Sequence, residues 1–161
     1  MKKAGSILRL IPTFLWMTVI YLFSDAPAAL STDQSITVTE RLLGFVGRFI
    51  TLDIYTRVYL IALLEPFIRK AAHMTEYAIL FFFVMFSLGV FIKDRGRRIL
   101  FSWGICLLYA VSDEFHQIFV SGRSGMVKDV VIDMIGVMLA SLIYLLFARV
   151  RQYRGQIKKT D

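Results

Sequence analysis

The chain has 161 residues, 57% of them apolar, with a mean hydropathy of +0.65 and a net charge of +7. A soluble domain holds nearer half apolar residues around one core; here they come in blocks, which excludes an ordinary soluble fold. The charge does not indicate nucleic acid, because Lys and Arg lie between the apolar blocks, where membrane orientation accounts for them, and the single cysteine, Cys106, excludes an internal disulfide.

A membrane-spanning helix needs about 20 mostly apolar residues. Four segments meet or approach that length. They predict an all-α, polytopic membrane helix bundle of about four transmembrane helices, forming one domain over residues 1–161. The first segment is Ile7 to Ser24, "ILRLIPTFLWMTVIYLFS". It has two readings, a retained span or a secretory signal peptide cut near "DAPAALS". Both readings keep the N-terminus inside.

Residues 25–70 form a long connection. Pro27 breaks the first helix. "ERLLGFVGRFI" and "RVYLIALLEPFI" then mix apolar residues with Arg41, Arg48, Arg57 and Glu65. Arg48, Asp53 and Arg57 would each cost about 2.5–3.5 kcal/mol at the bilayer centre. A short amphipathic helical insertion, interfacial or capping the bundle, is therefore expected here rather than a span.

The remaining spans are Ala71 to Ile92, Ile99 to Ile118 and Val130 to Val150. The loop "KDRGRR" between the second and third is the strongest topological signal. Twelve Lys and Arg fall on that loop's side and seven on the other. The positive-inside rule then predicts cytoplasmic N- and C-termini, with a basic cytoplasmic tail at about 151–161.

In this topology the ionisable residues collect at the outer face. His73, Glu76 and Tyr77 lie in the first turns of span two, at a spacing that puts them on one helix face. Asp113, Glu114, His116 and Gln117 end span three. Asp129 and Asp133 begin span four, in a stripe with Gly136 and Ala140 that suits close helix approach. Arg123, in the short glycine-containing loop "VSGRSGMVKD", can fold back over the cluster. Charges near helix ends are often merely interfacial, and a lone histidine is usually packed. Carboxylates within a span instead face the bundle interior or a water-filled cavity. The geometry predicts one outward-facing pocket formed by His73, Glu76, Asp113, Glu114 and Arg123.

"KAAHMTEYAIL" resembles the K-x-x-H-x-x-E-Y signature of the VanZ-like family. "SDEFHQIFVSGRSGMVKDVVIDMIG" is similar to its second signature: D-E-x-x-Q, then Arg, then Asp and Asn before a glycine. The motif-bearing core covers about residues 70–140. The resemblance implies a small polytopic bacterial membrane protein, and the family's namesake is associated with teicoplanin resistance. It implies functional positions at Lys70, His73, Glu76, Tyr77, Asp113, Glu114, Gln117, Arg123 and Asp129. Asp133 stands where the family usually has Asn, and Ala140 replaces a frequent glycine, so the site of this chain carries an added negative charge.

Three functions fit these residues. The first is a binding or accessory protein for a cell-envelope lipid, a lipid-linked precursor or an amphiphilic glycopeptide. The second is a membrane-embedded acid–base or metal-assisted enzyme on a lipid-linked substrate, with His73, Glu76, Asp113 and Glu114 as its acids and bases. Lys70, Tyr77, Gln117, Arg123, Asp129 and Asp133 would then bind substrate. No G-x-S-x-G nucleophile motif is present. The third is a small proton-coupled transporter, disfavoured because transport sites lie nearer the midplane. The sequence names no cofactor. His73, Glu76, Asp113 and Asp133 offer N and O ligands for a divalent ion, against a metal-free charge network as the simpler alternative.

Overall fold

The computed structural model describes residues 7–157. Lys2, Lys3, Lys158 and Lys159, which entered the charge count above, lie outside them. The described residues form five α-helices and no strand: α1 (Ile11–Ser24), α2 (Ala28–Val46), α3 (Ile54–Leu88), α4 (Arg95–Gln117) and α5 (Val127–Ile157).

Helix α1 opens with Pro12 in its first turn, where the missing N–H costs nothing. It does not stand apart from the bundle. Ile20 is fully buried, the Trp16 indole donates to the Glu76 carbonyl of α3, and the Tyr109 hydroxyl of α4 donates to the Met17 carbonyl. Pro27 is the residue before α2, and the chain turns through 102° between α1 and α2. Extended backbone at Pro27 ends one helix and starts the next.

The expected pair of short helices followed by a span at Ala71 is organised differently. "ERLLGFV" belongs to α2, while "RVYLIALLEPFI" is continuous with span two in a single 35-residue helix, α3. Asp53 caps its start by accepting from the Tyr55 and Thr56 amides and the Thr56 hydroxyl. Those bonds hold the Asp53 carboxyl below the usual carboxylate range. Pro66 sits inside α3 and cannot donate to the Ala62 carbonyl.

The core lies between α1, α3, α4 and α5. Tyr77, Leu80, Phe81 and Val84 of α3 meet Cys106 and Ala110 of α4 and Val137 and Ala140 of α5. Helices α3 and α5 make the tightest pair. The small-residue stripe explains why: a Cβ at Gly136 would fall inside the van der Waals surface of the Met74 carbonyl. The close approach expected at Gly136 thus holds, with α3 as the partner, and Ala140 is buried in the same core.

By length and composition, Ile54–Leu88 and Val127–Tyr153 can each cross a membrane, and the bent pair α1–α2 makes a third candidate. Helix α4 falls short because charge sits at both ends. Arg95, Arg97 and Arg98 open it, and Asp113 and Glu114 stand in its last turns.

Candidate functional site

One end of the bundle carries a chamber of about 220 Å³. Its walls come from four helices and the loop before α5, with Ala28 and Ser31 of α2 among them. Helix α3 contributes Arg69, Lys70 and His73. Helix α4 contributes Glu114 and Gln117, and α5 contributes Asp129 and Asp133. Arg123 closes it from the loop. Seven of the sequence-derived positions therefore share one cavity: Lys70, His73, Glu114, Gln117, Arg123, Asp129 and Asp133.

Local structure explains how the loop is held. The Glu114 carboxylate accepts the Met126 amide at 2.9 Å, directly after Gly125. A Cβ at Gly125 would collide with the Glu114 carbonyl, so the chain can pass this close only as glycine. Gly122 has φ +74°, the left-handed region that favours glycine. Arg123 does fold back. Its Nε donates to the Ala26 carbonyl at 2.9 Å and a terminal nitrogen to the Phe23 carbonyl at 3.1 Å. It thereby ties the α1–α2 corner to the α4–α5 loop. Burial lowers its pKa from the ordinary arginine value, and the nearby Asp113 carboxylate opposes that; an arginine remains charged.

Glu76, Asp113 and Tyr77 do not line the chamber. Glu76 lines a neighbouring cavity of about 410 Å³ between α2 and α3. Its Oε2 lies 3.8 Å from His73 Nδ1, too far for a hydrogen bond, and makes no hydrogen bond among the described residues. Asp113 is buried behind the chamber wall. Gln117 Nε2 reaches its Oδ2 at 3.5 Å and donates more firmly to the Ser24 hydroxyl at 2.9 Å. Tyr77 is fully buried with its ring centroid 6.2 Å from that of Tyr109, and its hydroxyl has no partner. The five residues expected in one pocket thus divide into three on the chamber, one on the groove and one behind.

Asp133 is the outlier. It is 1% exposed, it lines the chamber, and neither carboxylate oxygen makes a hydrogen bond. A buried carboxylate with no partner is costly to maintain. His116, by contrast, is held to Asp25 at 3.0 Å and packs against the Tyr21 ring, so it serves the α1 terminus.

Three residues escaped the sequence reading. Arg69 lines both cavities and donates to Thr32 of α2 at 3.3 Å. Ser31 also lines both, and Ser24 takes the Gln117 amide. The Glu65 to Arg69 spacing of one helical turn was the only available signal. Among the described residues no group of three His, Cys, Asp or Glu is arranged to hold a metal ion. His73, Glu76, Asp113 and Asp133 are spread over two cavities and a buried layer, so they do not form the ligand set considered above.

No curated protein and no solved structure matches the chain. The VanZ/LLP1 family model does, over residues 9–148. That span takes in α1 to α4 and most of α5, and with them every side chain that lines the chamber. The match therefore covers the whole scaffold of the site as well as its two motifs, and the chain belongs to the VanZ/LLP1 family.

Proposed function

We propose that this VanZ-like membrane protein binds an amphiphilic cell-envelope component, a lipid-linked precursor or a glycopeptide such as teicoplanin, in the chamber at the outer end of its bundle. The observation that carries this reading is the pairing of cavities. A charged chamber and a more apolar groove share Ser31, Arg69, His73 and Arg123 as lining. A molecule with a polar head and a greasy tail suits such a pair, and a soluble metabolite would leave the groove unused.

The topology we assign has four spans, formed by α1, the second part of α3, α4 and α5, with both termini cytoplasmic. Helix α3 is about 52 Å long at 1.5 Å per residue, well beyond a hydrocarbon core of about 30 Å. Its first part therefore extends past the core. With α2, turned 102° from α1, it forms the interfacial insertion. Helix α4 crosses despite its charges because Asp113 and Glu114 are buried against protein, at 4% and 6% exposure. The packing of Trp16 and Ile20 into the core supports α1 as a retained span.

His73, Glu76 and Glu114 line the two cavities and can take and give protons, so turnover of the bound amphiphile is the second reading. One experiment addresses both. The full chain is purified from native membranes without added lipid, and its bound molecules are compared by mass spectrometry with the membrane pool. About one amphiphile per chain is expected, reduced in Glu76→Gln while membrane abundance holds and the envelope phenotype, such as growth with teicoplanin, is lost. An altered form of a membrane amphiphile on the wild-type chain favours turnover. A wild-type chain free of amphiphile, with phenotype falling only as abundance falls, overturns the proposal.

A further inference from the structure

The charges of the chamber are not mixed at random. Arg69, Lys70 and Arg123 come from the α3 side and the loop that closes over it. Glu114, Asp129 and Asp133 come from α4 and α5, where Lys128 stands beside Asp129. With Lys128 the chamber holds four cations against three carboxylates, so it is nearly neutral overall. A site for a purely anionic head would be expected to carry a clear positive excess. The charged groups whose fields reach Asp133 are Glu114, Asp113, Glu76 and Asp129, all carboxylates. His73, on the opposite wall, feels Arg123, Asp129 and Arg69.

The two poles have donors and acceptors to spare. A guanidinium has five N–H donors. Arg123 commits one from Nε and one from a terminal nitrogen to the α1–α2 corner, which leaves three. At the other pole both Asp133 oxygens are without a donor, although the residue is 1% exposed. The apolar groove begins beside the cationic pole, at Arg69, His73 and Arg123, and continues along Phe23, Val38 and Ile68.

We infer that the chamber accepts a headgroup carrying both a phosphate and a primary ammonium, with the groove holding its hydrocarbon chain: the ligand is a zwitterionic aminophospholipid. The phosphate sits against Arg69, Lys70 and Arg123, next to the groove. The ammonium, farther from the chain, donates to Asp133 and its acidic neighbours through charge-assisted bonds. The groove adjoins the chamber at Arg69 and Arg123, as the chains of the lipid adjoin its phosphate. This inference rests on the amphiphile-binding reading above and names its substrate class. It also gives a reason for aspartate at a position where the motif leads one to expect asparagine.

The test uses the full chain in maltoside micelles. Phosphatidylethanolamine and phosphatidylglycerol with the same acyl chains compete against a chain-labelled fluorescent phosphatidylethanolamine. Phosphatidylethanolamine should bind roughly tenfold more tightly. Asp133→Asn, which is isosteric and uncharged, should remove that preference by weakening phosphatidylethanolamine alone, with phosphatidylglycerol unchanged within about twofold. Should Asp133→Asn fail to accumulate, Glu114→Gln is expected to reduce the same preference. Lys70→Gln should weaken both lipids. Equal binding of the two lipids, or a preference that survives both carboxylate variants, overturns the zwitterion inference and leaves amphiphile binding standing. So does failure of both lipids to bind a chain that still carries a native amphiphile. Failure of both lipids on a chain purified free of amphiphile overturns the two readings together.

Discussion

At the end of the bundle where α1 begins, polar side chains find partners within the chain. The Ser87 hydroxyl donates to the Arg9 carbonyl at 2.6 Å and pairs with the Thr13 hydroxyl at 2.8 Å, and Ser102 donates to the Arg98 carbonyl. Only Arg98 Nε is left over there among the described residues. At the opposite end the Asp133 carboxylate, Glu76 Oε2 and the Tyr77 hydroxyl are all buried without partners. Both ends belong to one bundle and share α1, α3, α4 and α5, with α2 added at the chamber end. The difference teaches where the fold serves itself and where it holds groups in reserve. Matched hydroxyls fasten α1 to α3 at one end. At the other, the helices position carboxyl oxygens that have no hydrogen-bond partner among the described residues.

The largest effect should come from erasing the boundary between the two ends. Gly136→Val inserts side-chain atoms into the Met74 backbone, and the α3–α5 seam supports the chamber and the core alike. A loss of about 3 kcal/mol or more is expected, seen as a collapse of yield and thermal stability in micelles together with loss of ligand. Normal yield from this variant would mean that the seam is looser than the geometry requires.

The next contrast is one of sign. Ser87→Ala should destabilise by about 1 kcal/mol, because it removes a hydrogen bond and leaves the Arg9 carbonyl unmatched, and it should leave ligand binding intact. Asp133→Leu should stabilise the chain by about 1 kcal/mol or more, because a buried unpaired carboxylate is exchanged for an apolar side chain, and ligand binding should be lost. Unfolding midpoints of the two variants, measured side by side, should move in opposite directions. A shared direction would end the distinction between the ends.

Much of this arrangement was legible in the sequence. The helix-period placement of His73 and Glu76, of Asp113 and Gln117, and of Asp129, Asp133 and Gly136 put polar groups from three helices at one depth. The fold adds what periodicity cannot carry. Arg48, Asp53 and Arg57 argued for a separate insertion before Ala71, yet α3 runs from Ile54 through Ala71 as one helix, supported by a firm cap at Asp53 and by α2 along its flank. Asp113 looks equivalent to Glu114 in sequence. One helical position turns it toward Ser24 and Gln117 and away from the cavity. Arg69 was hidden because its importance depends on α2, and a 102° corner is not encoded in any local pattern.

The smallest predicted effect lies away from both ends. The Asp53 carboxyl is held below its usual range by the Thr56 hydroxyl and amide, with a further bond from the Tyr55 amide. A depressed folded-state pKa contributes stability above the unfolded value and loses it as pH falls through the folded one. Protection of the Tyr55 and Thr56 amides against hydrogen exchange should therefore hold at neutral pH and fade below about pH 4. Asp53→Ala should show the faded pattern at every pH, with the chamber unaffected. Loss of ligand in that variant would link the start of α3 to the site.

The contact between Gly136 and Met74 also sets a timetable for biogenesis. Met74 is synthesised and inserted long before Gly136 leaves the ribosome. Until α5 arrives, the nascent chain has His73 and Glu114 but neither Asp129 nor Asp133, and no wall to complete the chamber. The chamber is therefore completed in one late step, when the final helix docks. A product stopped before residue 127 would present half-built polar helices to lipid and to the proteases that survey the membrane.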